Sequence, residues 1–578
     1  MKKIKFHLRL TVYILILFST SNLVHSRSLD KHYDSLNLYN YFSGVVSLYD
    51  NEYASSYKYL RKLEGLEEHH YAYSKFYQYS LVNSGRIYEA YRYSKKLEKK
   101  GKGNFEGKLI TGIYYLKNKK YEKAIKYFGN LKSKNNQQDE TIQNLVSISL
   151  ENWLLFLDSE KNEAVNLMEK IPSRYKSIKK IQNAFLHCFF ESNSTDKIFS
   201  ELVSNKETDF SRYSFFHANY LNSLDKKEKA IDTLDLSLKL IPRNLILNQL
   251  KIDLNNKKVS NFSNRFDCKN LSHISAEILY IVSNALSAQS AYGLSNFYLN
   301  LAKYLNPHFI SFDTLYAENF YLMKKFESAK EIYKKIINAG SIYKWYASKE
   351  ISSILLEQDK KIESVKFLKQ SYKKIISPNV AETFDYAKFL KNNEEYYESI
   401  KQYTKVLNLI DKDHYLYPKA TDGRGVSYER TDQWEKAEKD FLNSLSVSPD
   451  QAYVINYLAY SWIEKGINVK KSLRMLKKAN DLKSNDGYII DSLGWALFKL
   501  KKYKEAERYL RLAVMLMPSD PIANDHYGDA LWMIKETMQA RYHWSYVFNS
   551  KEADEKLKKS AKEKSIFGLQ LKDNINKS

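Results

Sequence analysis

The chain has 578 residues, of which only 17 are Gly and 8 are Pro; together these make up roughly 4% of it, against roughly 12% in average proteins. That scarcity excludes collagen-like, Gly/Ser-linker and Pro-rich disordered classes and any fold needing a tight turn every ten residues, while a hydrophobic share of 44% is enough for a real core. The formal charge of +24 admits an acidic envelope polymer or an anionic membrane surface as partner, but the basic residues are mostly Lys dispersed beside Glu or Asp, and no Arg-rich run supports nucleic-acid binding.

Residues 1–26 have the three parts of a secretory signal. Lys2, Lys3, Lys5 and Arg9 form a positive start, Leu10 to Phe18 an apolar stretch too short to span a bilayer, and Val24 and Ser26 occupy the −3 and −1 positions of a cleavage site. The expectation is an exported, periplasmic chain; if the signal is retained, it becomes an N-terminal membrane anchor. No Cys follows the apolar stretch, so lipoprotein processing is not expected. The two cysteines, Cys188 and Cys268, are read as isolated buried thiols, with pairing in an oxidising compartment left open.

From about Leu29 onward small and large residues recur with a 34-residue period. In residues 27–134, Gly44 and Gly112 stand two periods apart, and Tyr115, Ala124 and Phe128 follow Gly112 in frame. Residues 135–275 are read as degenerate helical repeats: 135–205 and 243–275 match poorly, with helical patterning around Trp153 and Ala164, while Ala218, Leu221, Ala230, Leu234 and Pro242 make a good match between them. In 276–416, Ala317, Phe320, Ala329, Tyr333 and Ile336 make one unit and Ala387, Leu390, Ser399, Tyr403 and Val406 another. The best block is 417–550. It holds Gly425, Ala437, Phe441 and Pro449; then Leu458, Ala459, Trp462, Ser472, Leu476 and Ala479; then Leu493, Gly494, Leu497, Ala506, Leu510, Ala513 and Pro518; then Tyr527, Gly528, Leu531, Ala540, Trp544 and Val547. Residues 551–578 are read as a capping helix, on the spacing of Ala553, Leu557 and Ala561, and a charged tail.

With Gly494 at position 8, small residues fall at 8, 20 and 27, where two antiparallel helices approach closely. Large ones fall at 4, 7, 11 and 24, and Pro at 32 closes the second helix. This is the tetratricopeptide (TPR) signature, and the chain resembles TPR proteins over nearly its whole length after the signal. The expected fold is all-α: a right-handed superhelical α-solenoid of about fifteen TPR-like helical hairpins.

The repeat frame leaves no room for a catalytic domain. No phosphate-binding Gly-rich loop, nucleophile elbow or His-Glu-x-x-His helix is present, and two Cys cannot build a structural zinc site. No catalytic residue, cofactor or metal is expected. The nearest polar constellation, Asp525, His526 and Asp529 with Asp491 one repeat earlier, falls on the inner face of the first helices and is read as partner-contacting or solvated.

That inner face, positions 2, 5, 9 and 12, carries Tyr453, Asn456, Tyr460 and Ile463; Tyr488, Asp491, Trp495 and Phe498; and Ile522, Asp525, Asp529 and Trp532. Rings alternating with short hydrogen-bonding groups suit an extended peptide or a partner helix. The candidate partner-binding residues are Tyr453, Asn456, Tyr460, Tyr488, Asp491, Trp495, Asp525, Asp529 and Trp532, about half of the large rings being expected in the inter-repeat core. TPR clamps for peptide carboxylates use Lys, Arg and Asn; here the matching positions hold Asn456, Asp491 and Asp525, so an amine, a Lys/Arg-bearing segment or a backbone amide is the better fit.

The runs Tyr457 to Trp462, Asp486 to Trp495 and Asp520 to Asp529 resemble the C-terminal block of exported proteobacterial TPR proteins, some of them lipoproteins that deliver substrates to a periplasmic processing protease. The resemblance implies a non-catalytic scaffold or adaptor in the cell envelope. Its partners would be proteins or peptides, a processing protease and its substrates among them, without nucleic acid and with membrane contact at most peripheral. The alternative is binding of acidic envelope polymer or anionic membrane through the basic charge excess.

Overall fold

The structure is a computed structural model describing residues 35–131, 142–157, 159–205, 208–256 and 263–570. The signal read at residues 1–26 and the last eight residues of the tail lie outside the described residues.

Among the described residues the chain forms 30 α-helices: fourteen antiparallel hairpins and two further helices, Leu245–Asn255 and Glu555–Phe567. Only an isolated bridge between Asn264 and Phe309 departs from the all-helical pattern. The described residues between 142 and 255, where much of the period is faint, form helices as well.

The frame has a direct physical cause. A Cβ on Gly44, Gly112, Gly425, Gly494 or Gly528 would lie 2.3–2.8 Å from the side chain sixteen residues later, namely Leu60, Phe128, Phe441, Leu510 and Trp544. Each glycine at position 8 is thus the seat of the large residue at position 24 of its own hairpin. Position 20 is equally specific. In four hairpins it is a Ser whose hydroxyl donates to the carbonyl of position 8: Ser56 to Gly44, Ser295 to Ser283, Ser364 to Ser352 and Ser399 to Ala387, at 2.7–2.9 Å, whereas Ser472, in the hairpin with a one-residue insertion, is buried without a partner. The four bonded hydroxyls are satisfied at no cost in space.

The turn within each hairpin also recurs. Lys119, Asp225, Lys324, Asp359, Asp432, Lys501 and Lys535 adopt φ of 56–76°. The next N–H then bonds back five residues, as Lys120 to Tyr115 and Lys502 to Leu497, both 2.9 Å. This is the Schellman close of a helix, a position usually given to Gly. Its occupation by Lys and Asp is one reason glycine is so scarce.

The chain divides into two compact units, residues 1–344 and 345–578. In the first, one continuous core runs from Tyr57 to Leu315, because the N-terminal hairpins return against the helices Leu271–Ala288 and Tyr292–Leu305. Asn296 donates to the Tyr53 hydroxyl at 3.0 Å and Asn300 to Asn83 at 3.2 Å. Lys117 donates to the Leu305 carbonyl at 2.8 Å, and Tyr79 packs on Phe297. Cys188 and Cys268 form a disulfide, which corrects the reading of two isolated thiols. Arg212, its guanidinium 4.1 Å from the Tyr280 ring centre, makes two bonds of 2.8 and 2.9 Å to the buried carboxylate of Glu277.

In the second unit the core breaks into separate clusters between neighbouring hairpins. The inner helices of its last three hairpins are Ala452–Glu464, Gly487–Lys499 and Pro521–Met533. Asp486 and Asp520 cap the second and third, and Asp554 caps Glu555–Phe567 at the same 34-residue interval. The final helix is therefore the first half of one more repeat.

Candidate functional site

The residues singled out on the inner face divide into an exposed rim and a buried floor. Tyr453 and Tyr488 are exposed, as is Ile522. Tyr453 donates to Asp486 at 2.9 Å with the Lys483 ammonium 4.0 Å from its ring centre. Asn456 is half-buried, and its Oδ1 has no hydrogen-bond partner. Ile463 and Phe498 are core residues.

Trp495 is buried and forms the centre of the floor. It stacks on Phe498 at 4.8 Å and on His526 at 3.9 Å, donates its N–H to Glu464 at 2.6 Å, and carries Lys499 over its ring at 4.7 Å. Tyr460 closes one side, 6.4 Å from His526; burial raises its hydroxyl pKa, with the nearby carboxylates adding to the shift. Trp532 stands half-buried at the other side, against Trp544.

The acidic residues are not solvated. Asp491, Asp525 and Asp529 are all buried, and the chain pairs them itself. The Nδ1 of His526 meets both oxygens of Asp491 at 3.0–3.1 Å. Lys564, from the final helix, donates to Asp525 at 2.7 Å and to Asp529 at 2.9 Å. The indole N–H of Trp544 donates to Asp529 at 3.0 Å. One atom is left over: Asp525 Oδ1 is buried without a partner.

Burial opposes the charged form of His526, but Asp491, then Asp525 and Asp529, outweigh it and hold its pKa above the usual histidine range. Burial, with the Asp525 charge beside it, pushes Asp529 up to about 6 despite Lys564. Burial likewise opposes the Lys564 ammonium, and Asp529 and Asp525 reverse the sign, so it stays charged.

Asp525, His526, Asp529 and Lys564 line a cleft of about 930 Å³, floored by Tyr460, Trp495, Phe498 and His526 and walled by the stretch from Asp554 to Gln570. Gly568 ends the final helix at φ +78°, and a Cβ there would lie 2.1 Å from the Trp532 indole. The chain thus leaves its last helix across the inner face. Sequence reasoning missed Lys564 and Gly568, since residues 551–578 were read only as a capping helix and a charged tail. The 34-residue spacing of Asp486, Asp520 and Asp554 was the available signal. Among the described residues no group of three or more His, Cys, Asp or Glu is placed to hold a metal ion.

No family model matches the chain. A TPR repeat-containing protein of Pseudomonas aeruginosa is 31% identical over 132 residues, which is 23% of this chain and 20% of that relative, so the match spans about a fifth of the relative's length. Hairpins in a 34-residue frame, with glycine seats at position 8, complete the observation. The fold is an α-solenoid of TPR-like hairpins. Solved structures similar to this solenoid include the Cut9–Hcn1 hetero-tetramer of the APC/C, at 14% identity over 91% of this chain and 96% of that one with a TM-score of 0.36. YrrB, described as a TPR protein with an unusual peptide-binding site, is 17% identical over 37% of this chain and 99% of its own, with a TM-score of 0.26.

Proposed function

We propose that this TPR solenoid is a non-catalytic interaction scaffold or adaptor, exported to the periplasm, that receives a protein segment on the inner face of its last three hairpins. The observation that carries this reading is the cleft of about 930 Å³, in which an aromatic floor lies beside buried carboxylates. Rings provide apolar area at low entropic cost and the flanking polar groups fix register, as peptide-binding grooves require. The exposed Tyr453 and Tyr488 extend the same face toward solvent.

Export is supported by the tripartite segment at residues 1–26 and by the pairing of the two cysteines, since disulfides persist in oxidising compartments. Two measurements test the proposal. Thiol labelling of the chain in intact cells should find Cys188 and Cys268 resistant to alkylation until reductant is added; labelling without reductant would refute export. Co-purification from the envelope should retain a protein partner that the Tyr453→Ala, Tyr488→Ala double variant loses. A partner retained equally by both would place binding elsewhere.

A further inference from the structure

The cleft carries a charge opposite to that of the chain. Glu464, Asp525, Asp529, Asp554 and Glu563 line it, against Lys499, Lys556, Lys564 and His526, in a protein of net charge +24. Asp525 is more than nine-tenths buried, yet only one of its oxygens is taken, by Lys564; the other has no donor. A buried carboxylate oxygen without a donor is costly and marks a place for one. Beside it stands an aromatic shelf, Trp495 stacked between Phe498 and His526, over which a lysine ammonium, that of Lys499, already rests at 4.7 Å. Ammonium and guanidinium groups favour such ring faces.

We propose that this cleft binds a basic side chain, Lys or Arg, of an incoming peptide segment, and that Lys564 is its intramolecular competitor. The inference rests on the proposed interaction function and names the chemistry of the partner. Lys564 shows the mode of recognition: an ammonium divided between Asp525 and Asp529, followed by a chain that leaves its helix at Gly568 and crosses Trp532. Leu569 then packs among the hydrophobic residues of the last hairpins. A partner segment reproduces these elements with a cation for the carboxylates and an aliphatic side chain for the Trp532 shelf. The start of the helix, held by the buried Ala561 and preceded by the buried Ala553, need not move; only its last turn, from Lys564, and the chain beyond have to yield.

The test uses the full chain and a fluorescent nonapeptide with the sequence of residues 562–570, Lys-Glu-Lys-Ser-Ile-Phe-Gly-Leu-Gln, with a control in which its third residue, the Lys equivalent to Lys564, is replaced by Gln. Anisotropy titration should show the Lys564→Gln variant binding the peptide at least tenfold more tightly than the wild type. The control peptide and the Lys564→Gln, Asp525→Asn double variant should each lose that gain. Gly568→Val, which clashes with Trp532 and leaves every charge in place, should also tighten binding, and it serves if Lys564→Gln fails to fold by circular dichroism. Equal affinity of a folded variant and the wild type, or equal binding of the two peptides, overturns the proposal and leaves Lys564 as a fixed part of the cap. Because the probe is a defined peptide, its failure is separate from a failure to find any partner in cells, which bears on the scaffold function itself.

Discussion

The Nδ1 of His526 sits 3.0 and 3.1 Å from the two carboxylate oxygens of Asp491, a residue 35 positions earlier on the neighbouring inner helix. The pair joins two repeats by a charge-assisted bond inside the core rather than by apolar packing alone. Its strength follows the protonation of the imidazole, as does the charge of the cleft above it.

The pH dependence has a definite sign. A histidine held above its unfolded value of about 6.5 contributes stability that is complete below that pH and is lost as pH rises through the folded value. Asp529, at about 6 when folded and about 3.9 unfolded, binds its proton more tightly in the folded chain, so it too costs stability as pH rises, between about 4 and 6. Relative to Asp529→Asn, the wild type should lose stability from pH 4 to 6; relative to His526→Gln, above about 6.5. Denaturant titrations across pH 4 to 8 check both, and a difference independent of pH would refute the assignment.

In the first unit, the buried Arg212–Glu277 pair makes a second prediction. Glu277→Gln leaves the guanidinium uncompensated among Tyr280, Phe216 and Phe309. It should cost about 3–5 kcal/mol, whereas replacing both partners by apolar residues of similar volume should cost far less. Urea unfolding of the two variants separates these outcomes.

The Cys188–Cys268 bond closes a loop of 80 residues. In the chain-entropy view, reduction should remove about 4.5 kcal/mol from the first unit. Thermal unfolding with and without reductant should shift the transition of residues 1–344 and leave that of residues 345–578 in place. A shift of both transitions would show that the bond stabilises more than its own unit.

The turn and seat positions should respond oppositely to small changes. Lys501 has φ +62°, where an L side chain is strained, and Lys501→Gly should stabilise by about 0.5–1 kcal/mol. Gly528→Ala would set a Cβ 2.6 Å from the Trp544 ring nitrogen and should destabilise by about 1–3 kcal/mol. Urea unfolding of the two variants checks the signs, and effects of the same sign would refute the assignment of turn and seat.

Much of the fold was legible because a repeat writes its packing rule many times. Gly112 and Gly494 stand at the same frame position, and each receives the residue sixteen later. What the frame does not encode is contact across many repeats. That Asn296 meets Tyr53, 243 positions away, depends on curvature accumulated over the intervening hairpins, and so did the approach of Cys188 to Cys268. At the cleft, the aromatic face was legible from the spacing of Tyr460, Trp495 and Trp532. The burial of Asp491, Asp525 and Asp529 was not, because their partners, His526 and Lys564, lie one repeat away and in the tail.

The central claim is that the inner face of the last hairpins receives a protein. A photo-reactive amino acid placed in living cells at Tyr488, 63% exposed on that face, and separately at Tyr542, 71% exposed on the second helix of the final hairpin, tests it most directly. The account predicts a discrete protein adduct from position 488 that position 542 does not give. Adducts of equal yield from both positions, or none from 488, would contradict it.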